Sequence, residues 1–378
     1  MKSQALQYTP SRGWSTRLPA QLDSPSTLVL AFGAVGLTLS EGPLAELRAA
    51  FPASRLLGCS TAGEIFDTKV SDDTLSVAIL QFEHSAVRSV CAEIGAGSYD
   101  TGRELAAALG DSPQPLQGVF VLSDGLRING SELVRGITAG VGPRVVVAGG
   151  LAADGDRFGR TWVVHNDRQS SGLVCAIGLY GAHARIACGS KGGWDMFGPE
   201  RVVTRSEANV LYEVDGRPAL QLYKEYLGDR AAGLPATALL FPLALRGCSD
   251  EDKRIVRTVL AVDEAAQSMT FAGDIPQGSL AQLMRANFER LIQGASDAAS
   301  LLDLKAGGDD AVAIAISCVG RRLVLGQRTE EETEATFEAF PTGTRQVGFY
   351  SYGEISPHTD GTCDLHNQTM TLTVMGEV

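Results

Sequence analysis

Val347 to Met375 reads VGFYSYGEISPHTDGTCDLHNQTMTLTVM, and Leu57 to Leu80 reads LGCSTAGEIFDTKVSDDTLSVAIL. Gly58 laid on Gly348 puts Gly63, Glu64 and Ile65 on Gly353, Glu354 and Ile355. The strand-like run from Thr74 to Val77 then falls on Thr369 to Leu372, after a gap five residues longer in the later copy (21 against 16 from glycine to threonine). The lengthened loop carries His358 and Cys363, and His366 enters the strand that follows. A framework used twice, with one copy enlarged and given two imidazoles, points to a scaffold with a site on one side.

Outward from these turns the chain repeats an order of elements. Thr27 to Ala34 (TLVLAFGA) is a short apolar run ended by glycine, which predicts a buried strand. Leu44, Leu47 and Phe51 follow at helical spacing, then the first glycine turn and a strand from Thr74 to Phe82. The order returns with Gly118 to Leu122, a helix behind Ser131 that carries Leu133, Val134, Ile137 and Val141, and the run Val145 to Gly150 leading into LAADGD. Thr161 to His165 and Gly172 to Tyr180 read as a hairpin around Asn166 to Ser171.

The glycine-rich KGGWDMFGPER from Lys191 to Arg201 places a boundary near residue 190, giving domains 1–190 and 191–378. In the second, Pro218 to Leu227 predicts a helix and Thr237 to Leu245 a strand interrupted by Pro242. Val256 to Val262 and Ser268 to Ala272 read as paired strands. Ser279 caps a predicted helix bearing Leu280, Leu283, Met284, Phe288, Leu291 and Ile292. A buried strand from Ala311 to Cys318 and an acidic helix from Glu330 to Phe340 precede the last glycine turn. The expected fold class is α/β: two related, pseudo-duplicated domains, each a mixed β-sheet flanked by helices.

At 378 residues the chain exceeds the ~250–300 at which single cores stop growing, in keeping with two domains. A formal net charge of -12 argues against nucleic acid and anionic membrane as partners, since both repel an acidic protein at long range. The first residues, with Pro10, Arg12, Arg17 and Pro19, lack a signal-peptide core, and no run approaches the ~18 apolar residues of a membrane helix. The expected location is the cytoplasm. The seven cysteines have no C-x-x-C pair, and most are expected as buried thiols.

Phosphate-loop, dinucleotide, zinc-protease and nucleophile-elbow motifs are absent. Ser123, Asp124 and Gly125 follow a strand, but no histidine lies near to act as base, and the triplet reads as a turn; Asp154 and Asp156 read the same way. A glutamate at a strand entry is solvated or paired, so Glu64 and Glu354 either accept backbone N–H bonds at related turns or meet a ligand. His84, His165 and His183 sit at strand ends. His358 and His366 flank one loop beside Tyr350 and Tyr352, where an imidazole serves as metal ligand or ties the loop to a carbonyl. Trp194, Phe197 and the Arg285 to Phe288 segment are apolar features available to wall a pocket.

GCSTAGEI at Gly58, VLSDGLRINGSEL at Val121, GGLAADG at Gly149, GGWDMFGPERVVTRS at Gly192, FAGDIPQGSLAQLMRANFERLI at Phe271, AIAISCVGRRLVLGQR at Ala313 and GFYSYGEISP with LHNQTMTL at the end together resemble the FIST sensory proteins, over nearly the whole chain. The resemblance implies a cytoplasmic signal-transduction sensor rather than an enzyme, acting through a histidine kinase or a cyclic-di-GMP enzyme, with a homodimer as one assembly. Its NosP-like branch implies b-type haem and nitric oxide as the gas sensed, with His366 as the iron ligand to test first and His358 as the second cofactor-binding candidate. The alternatives are a haem-free receptor for an amino acid or other small metabolite, in which Tyr352, Gly353, Glu354 and Arg345 form the ligand site, and a ligand-free adaptor.

Overall fold

The computed structural model describes residues 1–95, 97–247, 254–302, 311–358 and 360–378. The α/β class holds, and the strand–helix–strand pattern occurs three times. In the first unit, strand Thr27–Gly33, helix Gly42–Ala50 and strand Arg55–Ser60 are followed by a hairpin (Glu64–Phe66, Lys69–Ser71) and a return strand, Leu75–Gln81. The second has Leu116–Ser123, helix Gly130–Val141, Val146–Leu151, a hairpin (Val163–His165, Arg168–Ser170) and Leu173–Tyr180. The third has Val312–Cys318, helices Val319–Leu325 and Thr329–Glu338, strand Arg345–Ser351, a hairpin (Gly353–Pro357, Cys363–His366) and Met370–Glu377.

Within each unit the first two strands are parallel and the return strand runs antiparallel beside the first. A further strand extends each sheet beside the return strand: Lys2–Thr9, Ala86–Glu93 and Ala184–Lys191. The hairpin leaves its own sheet. That of the first unit pairs with Arg345–Ser351 of the third, that of the third with Val146–Leu151 of the second, and that of the second with Arg55–Ser60 of the first. The three units are therefore interlocked in a ring, and one apolar cluster draws Phe32, Leu122, Ile316 and Phe349 from all of them, with Phe32 and Phe349 stacked at 4.8 Å.

Sterics explain the repeated glycine. Gly58, Gly149 and Gly348 lie opposite Ala31, Val121 and Ala315 on the parallel neighbour, and a Cβ at each would come within 2.2, 1.9 and 1.8 Å of that residue's carbonyl oxygen. Four residues on, the chain crosses to the next unit through three equivalent backbone bonds: Ala62 N–H to Tyr350 O (2.9 Å), Ala153 N–H to Ser60 O (3.0 Å) and Tyr352 N–H to Leu151 O (3.2 Å). These bonds close the ring at its axis.

Between the edge strand of the third unit and its helix Phe288–Ser300, residues 195–285 build a separate eight-stranded sheet, with helix Ala219–Leu227 over one face and its own core around Leu211, Leu220, Tyr223, Met269 and Phe271. Here the helix expected after Ser279 is instead strand Leu280–Arg285, paired with Asp195–Glu207 and Leu243–Arg246. Leu283 and Met284 suit either periodicity, and the cross-strand partners decide it. The helix begins at Phe288, where the Asn287 side chain caps Arg290 N–H. Similarly, Asn129 rather than Ser131 caps the second unit's helix. Pro242 follows a 3-10 turn, Ala236–Leu240, instead of interrupting a strand.

Other local expectations change for want of pairing information. Val163–His165 turns back on Arg168–Ser170, while Leu173–Tyr180 runs to the middle of the second sheet, so those two runs are not one hairpin. The polar N-terminal arm forms strand Lys2–Thr9, paired with Leu75–Gln81 on one side and Gly13–Trp14 on the other. Cys91 and Cys175 stand opposite each other on neighbouring strands as a disulfide, whereas Cys59 and Cys318 are the buried thiols expected; Cys248 lies outside the described residues. Among the described residues no helix is long and apolar enough to cross a membrane.

Gly348→Ala is expected to destabilise the protein by about 3 kcal/mol or more, because the obstructing atom is main chain and cannot rotate away. Gly36→Ala, where nothing lies within 4 Å of a Cβ, is expected to stay within about 0.5 kcal/mol of wild type. Urea denaturation of the two variants checks the contrast.

Candidate functional site

Glu64 and Glu354 have the same job at two turns. Glu64 accepts from the Thr61 hydroxyl, from Thr74 N–H (2.9 Å) and from the Thr74 hydroxyl (2.8 Å). Glu354 accepts from the Ser351 hydroxyl (2.6 Å), Thr369 N–H (3.2 Å) and the Thr369 hydroxyl (2.9 Å). Both carboxyls are buried, and burial pushes them up, to about 7 for Glu64 and about 8 for Glu354, against the pull of their donors. At the second turn Asp154 takes a comparable part, accepting from Gly159 N–H and Arg160 N–H at 2.8 Å each and from the Tyr352 hydroxyl.

Around the last turn the residues singled out from the sequence are brought close together, but they close on one another. Tyr352 is 1% exposed, hydrogen-bonded to Asp154 and to Gly155 O (2.8 Å), and stacked on Phe158 at 5.1 Å. Gly353 is packed against Leu365, Leu151 and Asn367. Arg345 lies apart, in a two-pronged ion pair with Asp67 (2.9 and 2.7 Å) that joins the third unit to the first. The His366 ring has Nε2 3.0 Å from Ser356 O, which as a carbonyl only accepts, so Nε2 carries the proton. Burial, with His358 beside it, depresses His366 to about 4.

His358 packs edge-on against that ring, centroids 4.5 Å apart, with its own Nε2 3.8 Å from Asp364. A cleft of about 470 Å³ borders their loop at Cys363 and Asp364 without being lined by either imidazole, and no group of three or more metal-binding side chains occurs among the described residues. His366 Nε2 is thus engaged with Ser356 O, whereas the buried His358 Nε2 has no hydrogen-bond partner among the described residues.

The open space lies at the first turn. A cleft of about 720 Å³ is walled by Thr61 to Glu64, Asp72 and Asp73 of the first unit, Gly155 to Arg157 of the second, and Val319, Arg322, Leu323 and Glu330 of the third. Ala62, Ala153 and Tyr352 each stand four residues after the repeated glycine; Tyr352 fills the space at the last turn, and of the two alanines Ala62 lines this cleft while Ala153 is fully buried. Near the second turn, Trp162 is fully buried, its indole N–H on Val35 O at 3.0 Å.

Charge in the cleft is mixed. Arg322 grips Asp72 with two bonds (2.8 and 2.7 Å), donates to Ala62 O, and holds the Asp72 carboxyl below the usual carboxylate range. Asp73, Asp156 and Arg157 are exposed to the cleft, and among the described residues their side chains make no hydrogen bond or ion pair. Val35, Val70, Val319 and Leu323 add an apolar side. Arg157 is presented by a fastened loop: Asp154 caps Gly159 and Arg160, Phe158 is clamped on Tyr352, and the turn is made by Gly155 at φ +84°. The sequence reading took Asp154 and Asp156 for turn residues and missed Asp73, Arg157 and Arg322; the signal was Ala62 aligned with Tyr352 in the two copies.

An interlocked α/β frame carries a mixed-charge cleft at its junction, with the Thr61 hydroxyl hydrogen-bonded to the Glu64 carboxyl in its wall. The FIST N domain family matches residues 27–217 and the FIST C domain family residues 219–357, and the chain belongs to this family of sensory, signal-transducing domains. An uncharacterized protein of Methanocaldococcus jannaschii is 22% identical over 330 residues, covering 80% of this chain and 60% of that protein, so the chain spans about three fifths of its relative's length. A crystal structure of chorismatase aligns over 99% of this chain and 98% of the other with a TM-score of 0.35 and 9% identity, a likeness that carries no argument about activity.

The buried glutamates set a pH dependence. Their folded pKa values lie above the ~4.3 of a free glutamate, so folding favours the protonated forms. That stabilisation is complete below about pH 4 and is lost as the pH rises through about 7 and 8. Glu354→Gln keeps an oxygen for the Thr369 donors and cannot ionise. The stability of this variant relative to wild type is expected to rise between pH 5 and 9, by about 1.4 kcal/mol per unit of pKa displacement removed; urea titrations at pH 5, 7 and 9 measure it.

Proposed function

We propose that this protein senses a small zwitterionic metabolite, of the α-amino acid type, in the cleft at the first glycine turn. The observation that carries the reading is that all three units wall one cavity, and that it holds a guanidinium, Arg157, near enough to feel the Asp72 charge but without a hydrogen bond or ion pair among the described residues, together with the carboxylates Asp73 and Asp156, beside an apolar wall. A guanidinium suits a ligand carboxylate through paired N–H bonds, the carboxylates suit an ammonium, and Val35, Val70 and Leu323 suit an aliphatic side chain.

A ligand held by three units at once favours one relative arrangement of them, and a partner protein that reads that arrangement receives the signal. A histidine kinase or a cyclic-di-GMP enzyme is the partner this reading takes. The ligand shifts the equilibrium only by its preference for one arrangement, and tenfold preference corresponds to ~1.4 kcal/mol. In this reading nothing is converted, and it is preferred to haem-based detection of nitric oxide because His366 Nε2 is engaged with Ser356 O.

Calorimetry against the twenty amino acids tests the proposal. A binder is expected, weakened about tenfold or more by Arg157→Ala, which removes a charge-assisted contact. Ala62→Tyr, which installs in the open cleft the residue that fills the equivalent one, is expected to fold and to abolish binding. Binding untouched by both substitutions contradicts the site. Protein purified from cells fed a haem precursor is expected to show no Soret band; a band removed by His366→Ala would restore the haem reading.

A further inference from the structure

Glu64 and Thr61 stand side by side in the wall of the junction cleft, in a hydrogen-bond arrangement that has two states. Glu64 Oε2 is occupied by both donors of Thr74, the N–H (2.9 Å) and the hydroxyl (2.8 Å), which uses both of its lone pairs. Among the described residues Oε1 has a single partner, the Thr61 hydroxyl, so a proton taken up by this carboxyl goes to Oε1. Thr61 Oγ1 also accepts from Gly63 N–H (3.3 Å), which leaves it one lone pair and its own proton. With Glu64 ionised, that proton is donated to Oε1 and the lone pair is left for the cleft. With Glu64 protonated, Oε1 donates to the lone pair and the hydroxyl proton is left instead. The wall at Thr61 is thus an acceptor in one state and a donor in the other, with no heavy atom moved.

The charged groups that face this pair come from all three units: Asp72 and Asp73 beside it, Arg322 and Glu330 across the cleft, and Asp156 and Arg157 on the third side. Asp72 opposes ionisation of Glu64 and Arg322 favours it, while the two are bound to each other. Glu330 is held by Lys69 (2.7 Å), and Tyr350, next to Arg322, donates its hydroxyl to Glu332 (2.6 Å). Burial is the larger influence and pushes Glu64 up to about 7, so both states are populated near neutral pH. Glu354 is paired with Ser351 in the same way, but at the last turn Tyr352 fills the equivalent space.

We propose that Thr61 and Glu64 receive the ammonium of the bound metabolite, which donates to Thr61 Oγ1 while Glu64 is a carboxylate, so that binding expels the Glu64 proton to solvent. The ammonium has three N–H donors, so Thr61 complements Asp73 and Asp156 and does not replace them. Its positive charge beside Glu64 favours the ionised carboxyl, in the same direction as the hydrogen bond. This inference rests on the reading of the cleft as an amino-acid site, and adds which protonation state of the protein binds.

Calorimetry of the full chain tests this, with L-valine or whichever of the twenty amino acids binds best, and with the same acid lacking its amino group, isovalerate in the case of valine. Titrations at pH 7 in PIPES and in imidazole, buffers of different ionisation enthalpy, count the protons exchanged. About half a proton is expected to leave per amino acid bound, and none with the deaminated acid. Affinity for the amino acid is expected to rise about tenfold from pH 6 to pH 8. Glu64→Gln, uncharged throughout, is expected to bind the amino acid about tenfold more weakly than wild type at pH 8 and to release no proton, whereas Glu354→Gln keeps the release. Should Glu64→Gln fail to fold, Thr61→Val is the second variant, expected to weaken the amino acid more than its deaminated analogue. Amino-acid binding with no proton released, with proton uptake, with release that persists in Glu64→Gln, or weakened no more than the deaminated acid by Thr61→Val overturns this inference and leaves the amino-acid site standing. No binding by any of the twenty overturns that site and this inference with it.

Discussion

Three backbone hydrogen bonds around one axis, from Ala62 to Tyr350, Ala153 to Ser60 and Tyr352 to Leu151, are the constraint from which the rest of the structure follows. Each sits at the point where a chain segment abandons its own sheet and joins that of a neighbour. For the crossing to occur so close to the axis, the preceding strand must lie hard against its parallel partner, and this is why Gly58, Gly149 and Gly348 have no side chain. Once the hairpins have crossed, no unit completes its sheet without another, and the regions matched by the N and C family domains share sheets as well as a boundary.

The same exchange makes the cleft. A hairpin crossing from the first unit to the third leaves the segment just before it, Thr61 to Glu64, facing the helix Val319–Leu325 across a gap, while the second unit's Gly155 to Arg157 loop closes the third side. At the last turn the equivalent space is occupied by the side chain at the repeated position. Tyr352 spends its ring and its hydroxyl on Phe158 and Asp154, whereas Ala62 spends nothing. The Tyr352–Phe158 stack also steadies the loop that presents Arg157, so the filled turn supports the open one. Divergence of one scaffold element thus gives a rigid turn and a receptive turn within the same ring.

The repeated glycines and the Gly-Glu-Ile turns were legible in the sequence because steric exclusion and buried hydrogen bonding restrict residue type. Thr74 and Thr369 were aligned for the same reason, as donors to equivalent carboxylates. The second unit was legible as an order of elements rather than as a motif, since Gly149 is followed by Asp154 where the others have glycine. Hairpin exchange was not legible: periodicity reports which face of a strand is buried, not which distant strand lies beside it. The same limitation turned Leu280–Arg285 into a helix and Lys2–Thr9 into an arm. As for the site, histidines and tyrosines draw attention because they carry chemistry, while a cavity is made by what a residue lacks. Ala62 has no chemistry to notice, and only comparison with Tyr352 gives it meaning.

Hydrogen exchange of the whole chain, measured with and without a mixture of the twenty α-amino acids, is the most direct test of the claim that the junction of the three units is the sensing site. Slower exchange on ligand addition is expected together in segments 60–73, 155–160 and 319–323, one from each unit. Protection confined to the last turn and its histidine loop, or none in the presence of the mixture, would contradict it.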